Sequence, residues 1–181
     1  MALRSVYSKA RVYISLDHLW NILQPHGKCY TSKSTLDAFA KRLKQEGDIN
    51  WNLAFHPYPS PLTDPNFWND KVTNSDSTKQ VTMKNLGYLT NYVSTHFRSD
   101  VRILLSEQGF TSVSYGTTNE TLQAAAWAYA YYITEFNDKV DAFIMNRHVD
   151  HKQETSQGLY LGVWTNKKGN LEYADKKKQI W

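Results

Sequence analysis

Val101-Arg102-Ile103-Leu104-Leu105-Ser106-Glu107-Gln108-Gly109-Phe110 is the stretch whose reading decides the fold. Val101, Ile103, Leu104 and Leu105 make an apolar run of strand length, and the chain turns polar and flexible at Ser106. An ionised carboxylate beside a dry core is costly unless it is paired or hydrogen-bonded, so the placement of Glu107 asks for a reason. Where parallel strands build a barrel, chemistry collects at their C-terminal ends. The plain alternative is that Glu107 opens an ordinary solvated loop.

Working outward, three more runs rich in β-branched and aromatic residues have strand length: Val12 to Leu16, Ile49 to Phe55 and Val140 to Met145. Helical periods separate the four. Ser34 to Gln45 carries Leu36, Phe39, Ala40 and Leu43, with Gly47 as a stop. Val81 to Phe97 carries Leu86, Leu89, Tyr92, Val93 and Phe97, and Thr121 to Phe136 is preceded by Thr118 and Asn119 as available caps. Strand and helix alternate, which predicts an α/β fold with a parallel sheet of right-handed crossovers. The longest insertion, Pro57 to Thr78, holds four of the five prolines and has the make-up of an active-site loop.

Each run ends on side chains that carry chemistry. After the first come Asp17, His18 and Trp20; after the second, His56 and Tyr58; after the third, Glu107; after the fourth, Arg147, His148 and Asp150. Four such endings on one sheet edge predict a polar cleft with aromatic walls, and Trp164 is a further candidate wall.

Composition narrows the field. The 181 residues suffice for one domain with a real core, and the formal charge is +4. Much of that excess sits in Lys167-Lys168 and Lys176-Lys177-Lys178, expected to be a solvated tail. No nucleic-acid module accompanies it, so nucleic acid is not an expected partner. Cys29 stands alone, which excludes an intrachain disulfide and a cysteine-rich metal site. No apolar run has the length of a membrane span. No Gly-x-Gly-x-x-Gly follows a strand and no Walker-type loop is present, so no cofactor is expected. Ser106 lacks the Gly-x-Ser-x-Gly turn of a serine nucleophile.

Leu104-Leu105-Ser106-Glu107-Gln108-Gly109-Phe110 resembles the strand-seven motif of clan A glycoside hydrolases, whose glutamate is the catalytic nucleophile. Ala54-Phe55-His56-Pro57-Tyr58 is similar to their strand-six ending, where His and Tyr line the sugar site. Val12 to Trp20 would be strand five and Val140 to Asp150 strand eight. The whole chain resembles the C-terminal half of an uncharacterised bacterial family of glycosidase-like barrels, with Gly158 to Trp164 as its closing segment. The resemblance implies a TIM (β/α)8-barrel type, present as a C-terminal half-barrel of four β/α units in a single domain over 1–181. It implies a carbohydrate substrate and a retaining mechanism with Glu107 as nucleophile. Asp17, Trp20, His56, Tyr58, Arg147, His148 and Trp164 are the implied substrate walls.

That family's acid/base is a glutamate after an asparagine at the end of strand four, which would precede Met1. Asp17, Asp64, Glu120 and Asp150 do not stand in an Asn-Glu pair at a strand end. The N-terminus has the look of the last turns of a helix, so the chain is expected to be incomplete there. A half-barrel leaves unpaired edges and is expected to associate with a second copy or with a missing N-terminal half. Two other readings stay open. His18, His56 and Asp150, at three of the strand ends, match part of the ligand arrangement of a metal-dependent hydrolase of amidohydrolase type, whose paired strand-one histidines this chain lacks, and His148 with His151, three apart, could ligate a metal if helical. A non-catalytic carbohydrate-binding or assembly half-barrel is the other.

Overall fold

Two kinds of side-chain row cross the central sheet, and the contrast between them organises the molecule. The structure is a computed structural model that describes residues 6–7, 9–23, 30–167 and 173–180. β1 (Tyr13–Asp17), β2 (Asn52–His56), β3 (Ile103–Gln108) and β6 (Val140–Met145) form a four-stranded parallel sheet in that order. In register, Leu16, Phe55, Leu105 and Phe143 make one row, and Ser15, Ala54, Leu104 and Ala142 make the next. The first row faces the core; Ser15 and Ala142, at the ends of the second, are exposed.

α1 (Ser32–Gln45), α2 (Leu86–His96) and α3 (Glu120–Glu135) connect successive strands. Their apolar faces meet that first row in one cluster: Leu36 and Ala40 from α1, Leu86, Leu89, Tyr92 and Val93 from α2, Ala126, Trp127 and Ala130 from α3. The helical periods read from the sequence are therefore the faces that bury. α1 is capped by Thr31, whose hydroxyl accepts from the Ser34 amide at 3.1 Å. It ends where Gly47 takes φ +102° and the Asp48 amide returns to the Leu43 carbonyl at 3.0 Å, as a glycine stop does. This turn also delays β2, so Ile49 to Trp51 lie outside the strand they were expected to open. α3 is capped by Asn119, which accepts from the Leu122 amide at 2.9 Å.

α2 starts later than Val81. Thr82 and Asn85 exchange side-chain and backbone hydrogen bonds around a 3-10 turn at Met83–Asn85, and the α-helix proper follows. Smaller elements decorate the strand ends. β4 (Val113–Ser114) and β5 (Thr117–Thr118) form a hairpin after β3, α4 (Lys152–Thr155) follows β6, and β7 (Trp164–Asn166) pairs antiparallel with β8 (Ala174–Lys177).

This is a mixed α/β fold with a four-stranded parallel sheet, and among the described residues the sheet does not close into a barrel. Among the described residues β1 and β6 are its edges, each paired on one side only. Ile144 and Met145 on β6 are 49% and 41% exposed. The sheet is curled. Edge strands three spacings apart would stand about 14 Å from each other if it were flat. Yet Arg11, just before β1, reaches Asp141 on β6 at 3.5 Å, and Arg102 beside β3 meets the same carboxylate at 2.6 Å. Met1 to Ser5, Cys29 and Lys168 lie outside the described residues, and with them the expectations placed there.

The Pro57 to Thr78 insertion is tied down at several points. Phe67 is fully buried, stacked on Tyr129 and set against Phe110. Asn85 donates to the Thr73 carbonyl at 2.9 Å, and Lys84 donates to the Asp70 carbonyl at 2.8 Å. The buried Asp70 carboxyl accepts from the Ser60 amide at 3.3 Å. Burial pushes its pKa up to about 6 from an ordinary 3.8, against the opposing pull of Thr82 and the Ser60 amide. The folded form thus holds this proton more tightly than the unfolded chain. The contribution is complete below 3.8 and is lost as pH rises through about 6. Urea titrations at a series of pH values are expected to show this Asp70 contribution to the unfolding free energy falling by about 3 kcal/mol across the window. Asp70→Asn should remove that fall; an identical slope in the variant would contradict it.

Candidate active site at the strand ends

Glu107 does not point into open solvent. It is half-buried, near the end of β3, and the Tyr58 hydroxyl donates to its Oε1 at 2.7 Å. Asn146 Nδ2 in turn donates to Tyr58 Oη at 2.7 Å. Three strand ends therefore meet in one hydrogen-bonded chain: Tyr58 from beyond β2, Glu107 from β3, Asn146 from just beyond β6.

Local sequence explains how they come together. The pairing of β3 with β6 slips between Leu105 and Gln108, which takes Ser106 and Glu107 off the regular ladder. Gln108 re-enters it: fully buried, it donates through Nε2 to the Ile144 carbonyl, while its own carbonyl accepts from the Asn146 amide at 2.8 Å. Gly109 lies directly against Asn146, and a Cβ there would collide with the Asn146 carbonyl oxygen. Only glycine lets the two backbones come this close. Tyr58 itself is buried, and its pKa is raised, first by burial and then by the Glu107 hydrogen bond, with Asn146 pulling the other way. The phenol is thus held neutral, as a donor.

On the neighbouring strands Asp17 and His56 stand in register side by side. His56 Nε2 is 3.5 Å from Ser15 Oγ. Asp17 Oδ1 lies 2.6 Å from His18 Nδ1 and accepts from the Leu19 amide at 3.1 Å. Burial works to raise the Asp17 pKa, but His18 and the Leu19 amide outweigh it and hold it below the usual carboxylate range. The His18 ring stands edge-on to Tyr58 with centroids 6.3 Å apart, joining β1 to the Tyr58–Glu107 pair.

One expected wall, Trp20, is placed otherwise. Trp20 is a core residue, not a wall: it is fully buried, edge-on to Phe55, Tyr88 and Tyr92, and its indole donates to Tyr88 Oη at 3.3 Å. An indole with a hydroxyl partner and three aromatic neighbours is more stable inside than at a wet rim. Arg147 is engaged by Glu154 on α4 at 2.9 Å. His148 is exposed, 6.4 Å from the Trp164 ring, and β7 is anchored beside it by the Val163 and Trp164 amides on the His148 carbonyl.

The lysine run near the end is not a simple solvated tail. Lys178 is buried, bonded to Asp150 Oδ1 and Ser112 Oγ at 2.9 Å each, and β8 carries the residues before it. Burial pushes the Asp150 carboxyl up and the Lys178 ammonium down, each opposed by the other's charge. This pair takes Asp150 away from the metal-hydrolase reading, since its Oδ1 also accepts from the Gly162 amide at 2.8 Å. His148 and His151 precede α4 and are not on a helix, so their spacing puts them on no common helical face. Among the described residues no three His, Cys, Asp or Glu side chains group as a metal site.

The sequence places Asn146 at the fourth strand end and Lys178 in the lysine run, but by itself gives neither them nor Glu154 a role in the site. Asn146 carries a usable signal, the first position after an apolar run, beside the more conspicuous charge of Arg147. Glu154 acts electrostatically on the Tyr58 phenol, and nothing in its local sequence announces that.

The fold and the strand-end cluster define a mixed α/β protein with a polar site at one edge of a parallel sheet. The chain matches, over residues 1–181, a family of unknown function, DUF5722, and belongs to it. No curated protein matches it. No helix among the described residues is long and apolar enough to cross a membrane.

Lys178→Met is expected to cost about 3 kcal/mol or more of stability in urea unfolding, because it leaves Asp150 buried and unpaired. The double variant Asp150→Asn with Lys178→Met should recover part of that loss. Equal stability of Lys178→Met and wild type would show the pair to be dispensable.

Proposed function

We propose that the strand-end cleft takes carbohydrate and that Glu107 is the nucleophile of a retaining, glycoside hydrolase-like reaction. The observation that carries this reading is the 2.7 Å hydrogen bond from the buried Tyr58 phenol to Glu107 Oε1. A nucleophilic carboxylate must stay ionised and correctly aimed, and a neutral phenol donor supplies both. Asp17 and His56 beside it, with His148 and Trp164 on the far side, supply polar and aromatic surface of the kind that sugars use. The resemblance of the Glu107 and His56–Tyr58 segments to clan A glycoside hydrolases supports the same reading.

In the first step Glu107 attacks the anomeric carbon, the glycosidic C–O bond breaks, and the leaving oxygen takes a proton from a second carboxyl. In the second step water displaces Glu107 and returns a proton to that carboxyl. The two groups must stand roughly 5–5.5 Å apart. The four other acids weighed from the sequence each have a partner elsewhere. Asp17 lies against His18, Asp64 accepts from Asn66 at 2.8 Å, Glu120 accepts from the Gln179 amide at 3.0 Å, and Asp150 holds Lys178.

We further propose that the sheet is half of a (β/α)8 barrel and that a complementary half, such as a second copy of this chain, contributes the second carboxyl. Supporting this are the helices on one face only, the curl, the two parallel edges and the exposed Ile144 and Met145. Unpaired edges of this kind favour association.

Release of 4-nitrophenol from a panel of 4-nitrophenyl glycosides tests the chemistry. Glu107→Gln should lower the rate by about a thousandfold or more with the fold intact; undiminished turnover would remove Glu107 from the reaction. Sedimentation velocity at micromolar concentration tests the architecture. Dimers or larger species are expected, and a clean monomer would count against the half-barrel.

A further inference from the structure

We infer that Asn146 is a positioning residue for Glu107, acting through the hydroxyl of Tyr58. A phenol has one proton to give and lone pairs to accept with. Both of its neighbours, Glu107 Oε1 and the Asn146 amide, are at 2.7 Å. With Glu107 ionised, the carboxylate only accepts, so the phenol proton has to lie on that side. The Asn146 group facing Tyr58 must then be a donor, the Nδ2 amide. Turned around, the Asn146 carbonyl oxygen would press on the phenol oxygen with no proton between them. The amide therefore fills the acceptor side of Tyr58 and commits its single proton to Glu107.

The backbone keeps Asn146 at its post. Its amide is bonded to the Gln108 carbonyl at 2.8 Å, and its own carbonyl is packed on Gly109. The same two residues follow Glu107 directly in the chain, so the strand that carries the carboxylate also carries the seat of the residue that orients its donor. Among the described residues no hydrogen bond joins Asn146 to Glu107, and Oε2 of Glu107 has none from a protein group. Oε1 is thus the held oxygen, and Oε2 is the one presented to a substrate. This last step rests on the reading of Glu107 as nucleophile; the coupling of Asn146 to Glu107 does not.

A set of double-mutant cycles on stability decides the matter without a substrate. Asn146→Ala and Glu107→Gln, singly and together, are compared by urea unfolding with Tyr58 present and again in a Tyr58→Phe background. With Tyr58 present, the double variant should depart from the product of the single effects on the unfolding equilibrium by about fivefold or more. In Tyr58→Phe the departure should vanish to within about twofold. Additive effects with Tyr58 present, or coupling that persists in Tyr58→Phe, would overturn the inference. Asn146→Asp, which keeps the shape but removes the donor, should show the same loss as Asn146→Ala; wild-type behaviour would also overturn it. On any 4-nitrophenyl glycoside that wild type cleaves, Asn146→Ala should lower kcat by about tenfold with KM unchanged, and have no further effect in Tyr58→Phe. A wild type that cleaves none speaks against the nucleophile reading alone, with the stability cycles still deciding the role of Asn146.

Discussion

One-sided burial is the constraint on which the rest of the structure depends. Leu16, Phe55, Leu105 and Phe143 form a row across four strands, and all three crossover helices bury against that face. Each buried aliphatic or aromatic side chain contributes about 1.5–3 kcal/mol relative to exposure. The register is therefore strongly specified, because a one-residue slip of any strand would turn its apolar set outward. Fixing the register also fixes which residues stand level at the C-terminal ends, and so brings Asp17 beside His56. The other face, with Ser15 and Ala142 exposed, is left to the curl of the sheet and to whatever covers it.

The site is assembled by exceptions to that regularity. β3 slips against β6 between Leu105 and Gln108, and the slip frees Glu107 from the ladder while the fully buried Gln108 restores pairing. Gly109 removes the one side chain that would hold the β6 end away. A carboxylate at the end of an apolar run is costly alone, and the Tyr58 phenol is its compensation. The same logic governs Asp150 and Lys178. Two charges leave water together and tie the end of β8 to the loop after β6, which seats Val163 and Trp164 beside His148.

Most of the element order was legible because helix and strand periods differ, and because Thr31, Gly47 and Asn119 punctuate the helices where the chemistry of caps requires. Boundaries slipped where a local turn intervened, as at Gly47-Asp48 before β2 and at the Thr82–Asn85 box before α2. Glu107, His56, Tyr58 and Asp17 were legible as candidates since each closes an apolar run. Trp20 closes one too, but a strand end does not say whether the next indole turns outward or folds back onto Phe55 and Tyr92. Lys178 misled because a lysine run is nearly always solvated, and only a buried carboxylate from a distant segment makes an exception.

The amino-acid sequence alone determined the alternation of strands and helices, the apolar faces and the set of polar side chains delivered to one sheet edge, since these follow from periods and caps within a few residues. The tertiary structure alone decided which of those side chains touch. Tyr58 meets Glu107 across 49 positions and Asn146 meets Tyr58 across 88, and contacts at such separation depend on strand order, register and the close approach that Gly109 permits. No local pattern encodes them, because a hydrogen bond requires two groups to share one place, and place is a property of the folded chain.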